Sequence, residues 1–265
     1  MNAEKTDQGR SCKPFKFDLA LSVLSAFICV LLLCAVCPAQ IHPHSFSPRQ
    51  LGIMQAWYRA DAVTALADGD PVASWVDSTA NARTLTQSTA DYRPAYKVSI
   101  QNGRPAIRFD GTNDMLTGAF GGSLQFTVFS VQRPDIIYAG WRIAYGASPV
   151  NTVGGNGWTS VYFAFESLTG WSEYAPTHAV STIVPEVWTA RYDQLYWRSW
   201  VNGGALPVWA ETRSPYLGTA LNVGSLWQGA YPFDGDIFEL AFFAEALSDR
   251  DRQRVERYLS RKWGL

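Results

Sequence analysis

Between Leu51 and Trp263, apolar and polar positions follow one another in short runs bounded by Gly, Pro, Asn or Asp. Side chains alternate between the two faces of a strand, so a series of such runs predicts the half-buried strands of a β-sandwich. Asp193-Gln194 predicts a hairpin turn, and Asn202-Gly203 predicts the next tight turn. The predicted strands are Pro105 to Phe109, Leu124 to Gln132, Arg142 to Tyr145, Ser160 to Glu166, Val187 to Tyr192, Tyr196 to Val201, Leu221 to Val223 and Asp236 to Phe243.

The carboxyl end has the periodicity of a helix. Ser248 followed by Asp251 is a capping box, and Val255, Leu259 and Trp263 recur at helical spacing. This pattern predicts one amphipathic α-helix that lies on the sandwich by its apolar stripe. Interleaving of its basic and acidic residues predicts a solvated face, with Arg250, Arg252, Arg254, Arg257, Arg261 and Lys262 as the basic positions.

The amino-terminal segment, residues 1–39, has a different pattern. A polar stretch with several lysines and arginines precedes an uninterrupted apolar run from Leu19 to Ala39. This order is typical of an export signal cleaved after Ala39, and it predicts a secreted, periplasmic or cell-surface protein. The run is also long enough to span a bilayer, so an uncleaved membrane anchor is the alternative. Residues 40–50 then form a predicted tether, and residues 51–265 form the predicted domain.

Composition narrows the class of protein. Hydrophobic residues make up 47% of the chain and charged residues 17%, which excludes a disordered protein. The net charge of −1 gives no electrostatic footprint for nucleic acid. All four cysteines lie in the first 39 residues, which leaves no thiol for a disulfide scaffold or a zinc site in the predicted domain. Contact with a membrane is expected only through the amino-terminal segment, if that segment is retained.

Three stretches resemble bacterial laminin-G-like, concanavalin A-like domains of the lectin and glucanase superfamily. They are RPAIRFDGTNDML (104–116), SWVNGGA (199–205) and FDGDIFELAFFAEALSDRDRQRVERYLSRKWGL (233–265). The resemblance implies an all-β jelly-roll sandwich of two antiparallel sheets with a carboxyl-terminal α-helix. That superfamily contains lectins, adhesion modules, glycosidases and structural domains, so the resemblance implies the fold more than the activity.

A hydrolase is the first alternative function. Some jelly-roll glycosidases carry a strand motif E-x-D-x-x-E, and the stretch from Asp234 to Glu239 resembles it with Asp at the first position. A retaining mechanism needs the two carboxyl groups about 5 to 5.5 Å apart across an open cleft. Because Asp234 is shorter than Glu by one methylene, and because the same residues fit an ordinary closing strand, we expect no catalytic residue here.

The turn from Asp110 to Asp114 is a candidate calcium site. Calcium needs several oxygen ligands, and the carboxylates of Asp110 and Asp114 could each supply one. The alternative is that these side chains only form a turn through hydrogen bonds to the backbone. The sequence leaves both interpretations open.

Aromatic residues fit carbohydrate recognition, because ring faces suit the C–H faces of sugars. The chain has 11 Trp and 12 Tyr, more than a core alone demands. We assign Trp57, Trp75, Trp188 and Trp263 to the core. The sequence thus favours a non-catalytic module that binds carbohydrate, with a structural or protein-adhesion domain as the second alternative. The candidate ligand-binding residues, near Gly- or Pro-containing segments, are Trp158, Trp171, Tyr174, Trp227 and Tyr231.

Overall fold

A computed structural model gives the architecture of the domain. Residues 46–265 form one compact unit. The side chains of residue 141 and of residues 148–177 lie outside the described part, as does everything before residue 46. The residues whose backbone is described are 46–52, 54–135, 141–148, 152–157, 160–167, 170–174, 178–210, 217–226 and 229–265.

The described residues form two sheets, and all pairings between their named strands are antiparallel. The strands are β1 (Met54–Arg59), β2 (Ser74–Trp75), β3 (Leu85–Thr86), β4 (Ala95–Gln101), β5 (Arg104–Asp110), β6 (Leu116–Ala119), β7 (Phe126–Pro134), β8 (Trp141–Ser148), β9 (Thr152–Gly157), β10 (Ser160–Ser167), β11 (Gly170–Tyr174), β12 (Glu186–Tyr192), β13 (Tyr196–Val201), β14 (Gly204–Ala205), β15 (Trp209–Ala210), β16 (Ala220–Val223) and β17 (Asp234–Phe243). One α-helix, α1 (Asp249–Trp263), and three short 3₁₀ helices (Pro48–Leu51, Ala60–Ala62, Ala90–Tyr92) complete the described elements.

The nine-stranded sheet has the order β14-β13-β12-β7-β17-β5-β4, with β1 also paired to β17 and β15 to β13. The eight-stranded sheet has the order β11-β10-β9-β8-β16-β6-β3-β2. A large apolar cluster, including Trp75, Trp188, Leu221 and Phe242, fills the space between the sheets. We call the face of the nine-stranded sheet that contributes to this cluster its inner face.

Helix α1 covers the opposite, outer face of the nine-stranded sheet. Val255, Leu259 and Trp263 of the helix pack with Trp57 and Phe238 of the sheet in a second apolar cluster. The molecule therefore has three layers, helix on sheet on sheet. Strand β17 lies in the middle layer and is covered on both faces, which explains why every residue after Asp234 in this strand is buried.

These observations confirm the predicted fold class, a β-sandwich of two antiparallel sheets with a carboxyl-terminal α-helix. Each predicted strand is present, with ends that shift by up to three residues. The hairpin turns are confirmed by the positive φ angles of Gln194 and Asn202. The capping box also forms, because the Asp251 amide donates to Ser248 Oγ at 3.1 Å.

The Phe46 ring, in the predicted tether, contacts Tyr258 at 6.5 Å between centroids and lies under the Arg254 guanidinium. The start of the domain at Leu51 stays a prediction. One expectation needs correction, because the helix face is less solvated than predicted. Arg252 is 4% exposed and pairs with Glu256, and Lys262 is buried against Glu239. Opposite charges brought together by the fold allow these long side chains to leave water.

The sequence pattern missed several strands. Strand β9 reads TVGGNG, and after Thr152 and Val153 it has only Gly and Asn, which are depleted in strands, so its pairing with β8 and β10 is what makes it a strand. Strand β4 is an edge strand with polar and apolar residues exposed together, which hides its period. Strand β1 was missed although Trp57 within it was correctly assigned to the core.

Candidate functional site

One end of the sandwich gathers several of the residues singled out from the sequence. The pairing of β5 with β17 places Asp110 opposite Asp234. The Gly111 amide donates to the Phe233 carbonyl at 3.0 Å, and the Asp135 amide donates to the Asp234 carbonyl at 2.9 Å. We call this region, formed by residues 110–114, 142 and 231–235, the rim.

Arg142 connects the two chain segments of the rim. Its Nη1 donates to the Gly111 carbonyl at 3.1 Å and to the Pro232 carbonyl at 2.9 Å. The segment is further anchored because the Ile143 amide donates to the Tyr231 carbonyl at 3.0 Å. A guanidinium that joins two backbone carbonyls holds both segments in place and leaves a positive charge beside Asp234.

Asp110 and Asp114 form a turn held by hydrogen bonds from backbone amides to their side chains, which is the alternative to a calcium site. Asp110 Oδ1 accepts from the amides of Thr112 at 2.8 Å and Asn113 at 3.2 Å, and Asp114 Oδ2 accepts from the Asp110 amide at 3.0 Å. Burial, together with the nearby Asp110 carboxylate, raises the pKa of Asp114 to about 6.

The geometry adds no support to a calcium site. Within the described part of the chain, no group of three or more His, Cys, Asp or Glu side chains is placed to hold a metal ion. Two carboxylates already engaged in a turn are fewer than the six to eight oxygens that calcium takes. Calcium binding at Asp110 and Asp114 stays a prediction from the sequence.

Asp234 lies where the two segments of the rim approach most closely. A Cβ atom added to Gly111, whose φ is +70°, would lie 2.7 Å from Asp234 Cβ, so the turn requires glycine at this position. Burial raises the pKa of Asp234, Asp135 raises it further and Arg142 opposes the shift. The rim therefore presents a half-buried carboxyl group next to a guanidinium.

Tyr231 is the predicted ligand-binding residue whose side chain the structure describes. It is 44% exposed, and its φ of 53° is a left-handed conformation that a bulky residue seldom adopts. It precedes Pro232, whose carbonyl accepts a hydrogen bond from Arg142. The rim segment that Arg142 anchors thus includes an exposed aromatic residue.

The other four predicted ligand-binding residues lie outside the described side chains. Trp158 and Trp227 fall outside the described residues altogether. Trp171 and Tyr174 belong to β11, of which the backbone alone is described. Their role in binding stays a prediction. The four tryptophans assigned to the core, Trp57, Trp75, Trp188 and Trp263, are each at most 3% exposed.

The structure contradicts a catalytic pair formed by Asp234 and Glu239. Glu239 is 1% exposed and lies under α1. Its Oε1 accepts from Trp57 Nε1 at 2.6 Å, and its Oε2 accepts from Trp263 Nε1 at 2.9 Å and Lys262 Nζ at 2.6 Å. Burial raises the pKa of Glu239 although Lys262 opposes this. A carboxylate with three donors and no access to solvent cannot attack a sugar.

Sequence reasoning missed an exposed apolar corner at the other end of the nine-stranded sheet. Tyr196 and Trp209 are 41% and 39% exposed, and Leu195 and Val208 are more than half exposed. The pairing of β13 with β15 places Tyr196 opposite Ala210 and Trp197 opposite Trp209, so Tyr196 and Trp209 are exposed on opposite faces of this edge of the sheet. Strand β15 was not among the predicted strands, so its exposed residues were not placed at this edge.

Comparison with known proteins supports the fold. No family model and no curated protein matches this sequence. Among solved structures, domain 4 of AbnA, an extracellular arabinanase from Geobacillus stearothermophilus determined in complex with arabinotriose, aligns with a TM-score of 0.55 at 18% identity, covering 77% of this chain and 97% of that one. The laminin-G-like family designation stays a prediction.

Two toxin domains are also similar in structure to this chain. The binding domain of Paraclostridial Mosquitocidal Protein 1 aligns with a TM-score of 0.58 at 10% identity over 78% of this chain, and the binding domain of botulinum neurotoxin serotype D with a TM-score of 0.60 at 8% identity over 80%. This chain spans about half the length of each, 52% and 53%. These neighbours are binding domains, and at such identities the likeness shows the fold alone.

Proposed function

We propose that this protein is a non-catalytic recognition module that binds carbohydrate at the rim. The observation that carries the proposal is the exposed ring of Tyr231, which belongs to the same short segment as Asp234 and as the Pro232 carbonyl that accepts from Arg142. Sugar sites combine a ring surface with a few fixed polar groups that orient the hydroxyls. The likeness to an arabinanase domain determined with arabinotriose agrees with this function.

Burial of Glu239 excludes the carboxylate pair that the sequence suggested, and this favours binding over hydrolysis by that pair. Glu239 lies in the helix interface, whereas Asp110 of the rim is exposed and Asp234 and Arg142 are partly exposed. We further propose that the module acts outside the cytoplasm, since the apolar run from Leu19 to Ala39 follows a basic segment. Within the described residues, no helix has the length and apolarity to cross a bilayer.

The test is a glycan-array screen that includes arabinotriose and other oligosaccharides, using the full-length protein with calcium and with a chelator. We expect selective binding that Tyr231→Ala weakens at least tenfold and Asp234→Asn weakens less. Tyr196→Ala is the matched control, because that ring is almost equally exposed and lies at the opposite end of the sheet. Loss of binding in the control alone, or binding that neither rim variant changes, would refute the rim as the site.

The apolar corner favours a second function, adhesion to a protein. Four large apolar side chains are exposed along this edge of the nine-stranded sheet, namely Leu195, Tyr196, Val208 and Trp209. If the array shows no glycan binding while Tyr196→Ala abolishes attachment to a surface-bound protein partner, the protein-adhesion interpretation replaces the carbohydrate one.

A further inference from the structure

A cavity of about 520 Å³ lies between the amino-terminal end of β1 and the loop that follows β2. Arg49 of the first 3₁₀ helix and Met54 of β1 line one side, and Ser78, Thr79 and Asn81 line the other. The volume falls within the range of about 300–1,000 Å³ that is usual for small-molecule sites. Arg49 and Asn81 are exposed, so the cavity opens to solvent. The described lining residues include none from the rim.

Hydrogen bonds hold the two sides of this cavity in place. Asn81 Nδ2 donates to the Met54 carbonyl at 3.0 Å and to the Gln55 carbonyl at 2.9 Å, which ties the loop to β1. Within the loop, the Asp77 carboxylate accepts from the Thr79 amide at 2.8 Å and from the Thr79 hydroxyl at 2.7 Å. The cavity is therefore formed before a ligand enters, which lowers the entropic cost of binding.

Two guanidinium groups converge on the same side of the cavity. Arg49 Nη2 donates to the Ser78 carbonyl, and Arg59 Nε donates to Ser78 Oγ at 3.0 Å. The Cζ atoms of Arg49 and Arg59 lie 5.6 Å and 4.5 Å from the centroid of the Trp57 ring. Because both arginines contact one serine and one indole ring, their positive charges lie close to each other and to the cavity wall at Ser78.

No described carboxylate neutralises these two charges. Neither Arg49 nor Arg59 forms an ion pair with a carboxylate of the described residues. Glu239 lies opposite Arg59 in the strand register, but its oxygens accept from Lys262 and from two indole N–H groups. The buried Asp77 carboxylate is bound by three backbone amides and one hydroxyl. The cavity therefore has an excess of positive charge, which favours an anionic ligand.

We propose that this cavity binds a small molecule through one oxyanion group, a carboxylate, sulfate or phosphate, held by Arg49 and Arg59. The planar fork of a guanidinium pairs with two oxygens of such a group. Ser78 Oγ accepts from Arg59 and keeps its own proton to donate to the same oxyanion. The site is separate from the rim and does not depend on the function proposed there.

The experiment measures binding of inorganic sulfate, inorganic phosphate and glucuronate to the full-length protein at low ionic strength. Equilibrium dialysis and the midpoint of thermal unfolding are the two readouts. We expect at least one of these anions to bind wild type at millimolar concentration or below and to raise the midpoint. Preference for glucuronate would identify a carboxylate as the group bound, and preference for sulfate or phosphate would identify a tetrahedral oxyanion. Added sodium chloride should weaken the binding by screening.

Three arginine variants locate the bound anion. Arg49→Gln, at an exposed position, should lower the affinity at least tenfold, and Arg49→Lys, which keeps the charge without the fork, should lower it less. Arg93→Gln is the matched control, because Arg93 also has no described ion pair, donates to the carbonyls of Gln87 and Ser88, and does not line the cavity. This control removes the same charge and should change the affinity less than twofold. Circular dichroism checks that each variant is folded.

The proposal is overturned if none of the three anions binds wild type at millimolar concentration, or if Arg49→Gln binds them equally well. An equal loss in Arg93→Gln would also overturn it, since binding would then depend on net charge rather than on this cavity. Tyr231→Ala separates the two sites. It should weaken oligosaccharide binding at the rim and leave anion binding intact, whereas loss of anion binding in this variant would place the anion at the rim instead.

Discussion

The two faces of the nine-stranded sheet differ in whether certain buried polar side chains have hydrogen-bond partners. On the outer face, the buried carboxylates have strong partners: Glu239 accepts from Trp57, Trp263 and Lys262, and Glu256 accepts from Thr189 at 2.9 Å and Arg252 at 2.6 Å. On the inner face, the amide of Gln132 has no partner among the described residues. The carboxylates of Glu239 and Glu256 under the helix are thus paired, whereas the Gln132 amide on the inner face is not.

The difference indicates which groups belong to the fold and which do not. Charges under α1 are tolerated because each carboxylate is satisfied when the helix docks, so these residues form one cooperative unit with the helix. Unpaired amides and hydroxyls add nothing to stability. Substitutions on the two faces should therefore have opposite consequences for folding.

The largest effect is expected from Glu239→Ala. This change leaves the Lys262 ammonium without its closest buried partner and removes the acceptor of two indole N–H groups. We expect the free energy of unfolding to fall by about 3–5 kcal/mol, measured by urea denaturation. A loss below about 1 kcal/mol would mean that the outer-face network is not part of the fold's stability.

The next largest effect on the free energy of unfolding is expected from a comparison of two buried glutamines. Gln87 is buried with both amide atoms bonded, to the Met115 carbonyl and the Thr89 amide, so Gln87→Met should cost about 1–3 kcal/mol. Gln132→Met should change the free energy of unfolding by less than about 0.5 kcal/mol or increase it, since no protein hydrogen bond is lost. Equal losses in the two variants, measured in the same urea titration, would contradict the distinction between paired and unpaired groups.

Asp114 tests a buried carboxylate that has no basic partner in contact. Its ordinary pKa of 3.8 is raised to about 6 in the folded state, so between these pH values the folded protein binds more protons than the unfolded chain. The free energy of unfolding should therefore fall as pH rises from about 4 to about 6, by about 1–2 kcal/mol. Asp114→Asn should remove this decrease and be more stable than wild type at pH 7.5.

Thermal unfolding at pH 4 and pH 7.5 provides the measurement, and the two proteins should be alike at pH 4. A variant less stable than wild type at pH 7.5 would show that the charged carboxylate is favourable in the fold. Adding calcium at pH 7.5 extends the test: stabilisation of wild type that Asp114→Asn lacks would support the calcium prediction.

Much of the architecture followed from local patterns. The strand from Tyr196 to Val201 was predicted with both ends correct, because its alternation and its flanking turns are encoded within a few residues. The helix was predicted because Ser248 and the apolar spacing up to Trp263 are equally local. Strand β9 could not be predicted, since a run of glycines becomes a strand only through its neighbours.

The site was predicted less completely. Tyr231, Asp110 and Asp234 were each singled out, but for three different reasons and as three unrelated hypotheses. Their convergence at the rim depends on the register between β5 and β17 and on the carbonyls that Arg142 joins, which are contacts between residues far apart in the chain. The spacing from Asp234 to Glu239 was misleading for the same reason, because only the docked helix shows that Glu239 is covered.

By itself, the sequence determined that this protein has a β-sandwich with a terminal helix, because alternation, turn residues and capping act over a few neighbouring positions. Only the tertiary structure decided which polar groups are paired. Lys262 finds Glu239, whereas Gln132 finds no described partner, and no local signal distinguishes them. The physical reason is that hydrogen bonds and ion pairs between distant segments depend on register and layer packing, which a run of adjacent residues does not specify.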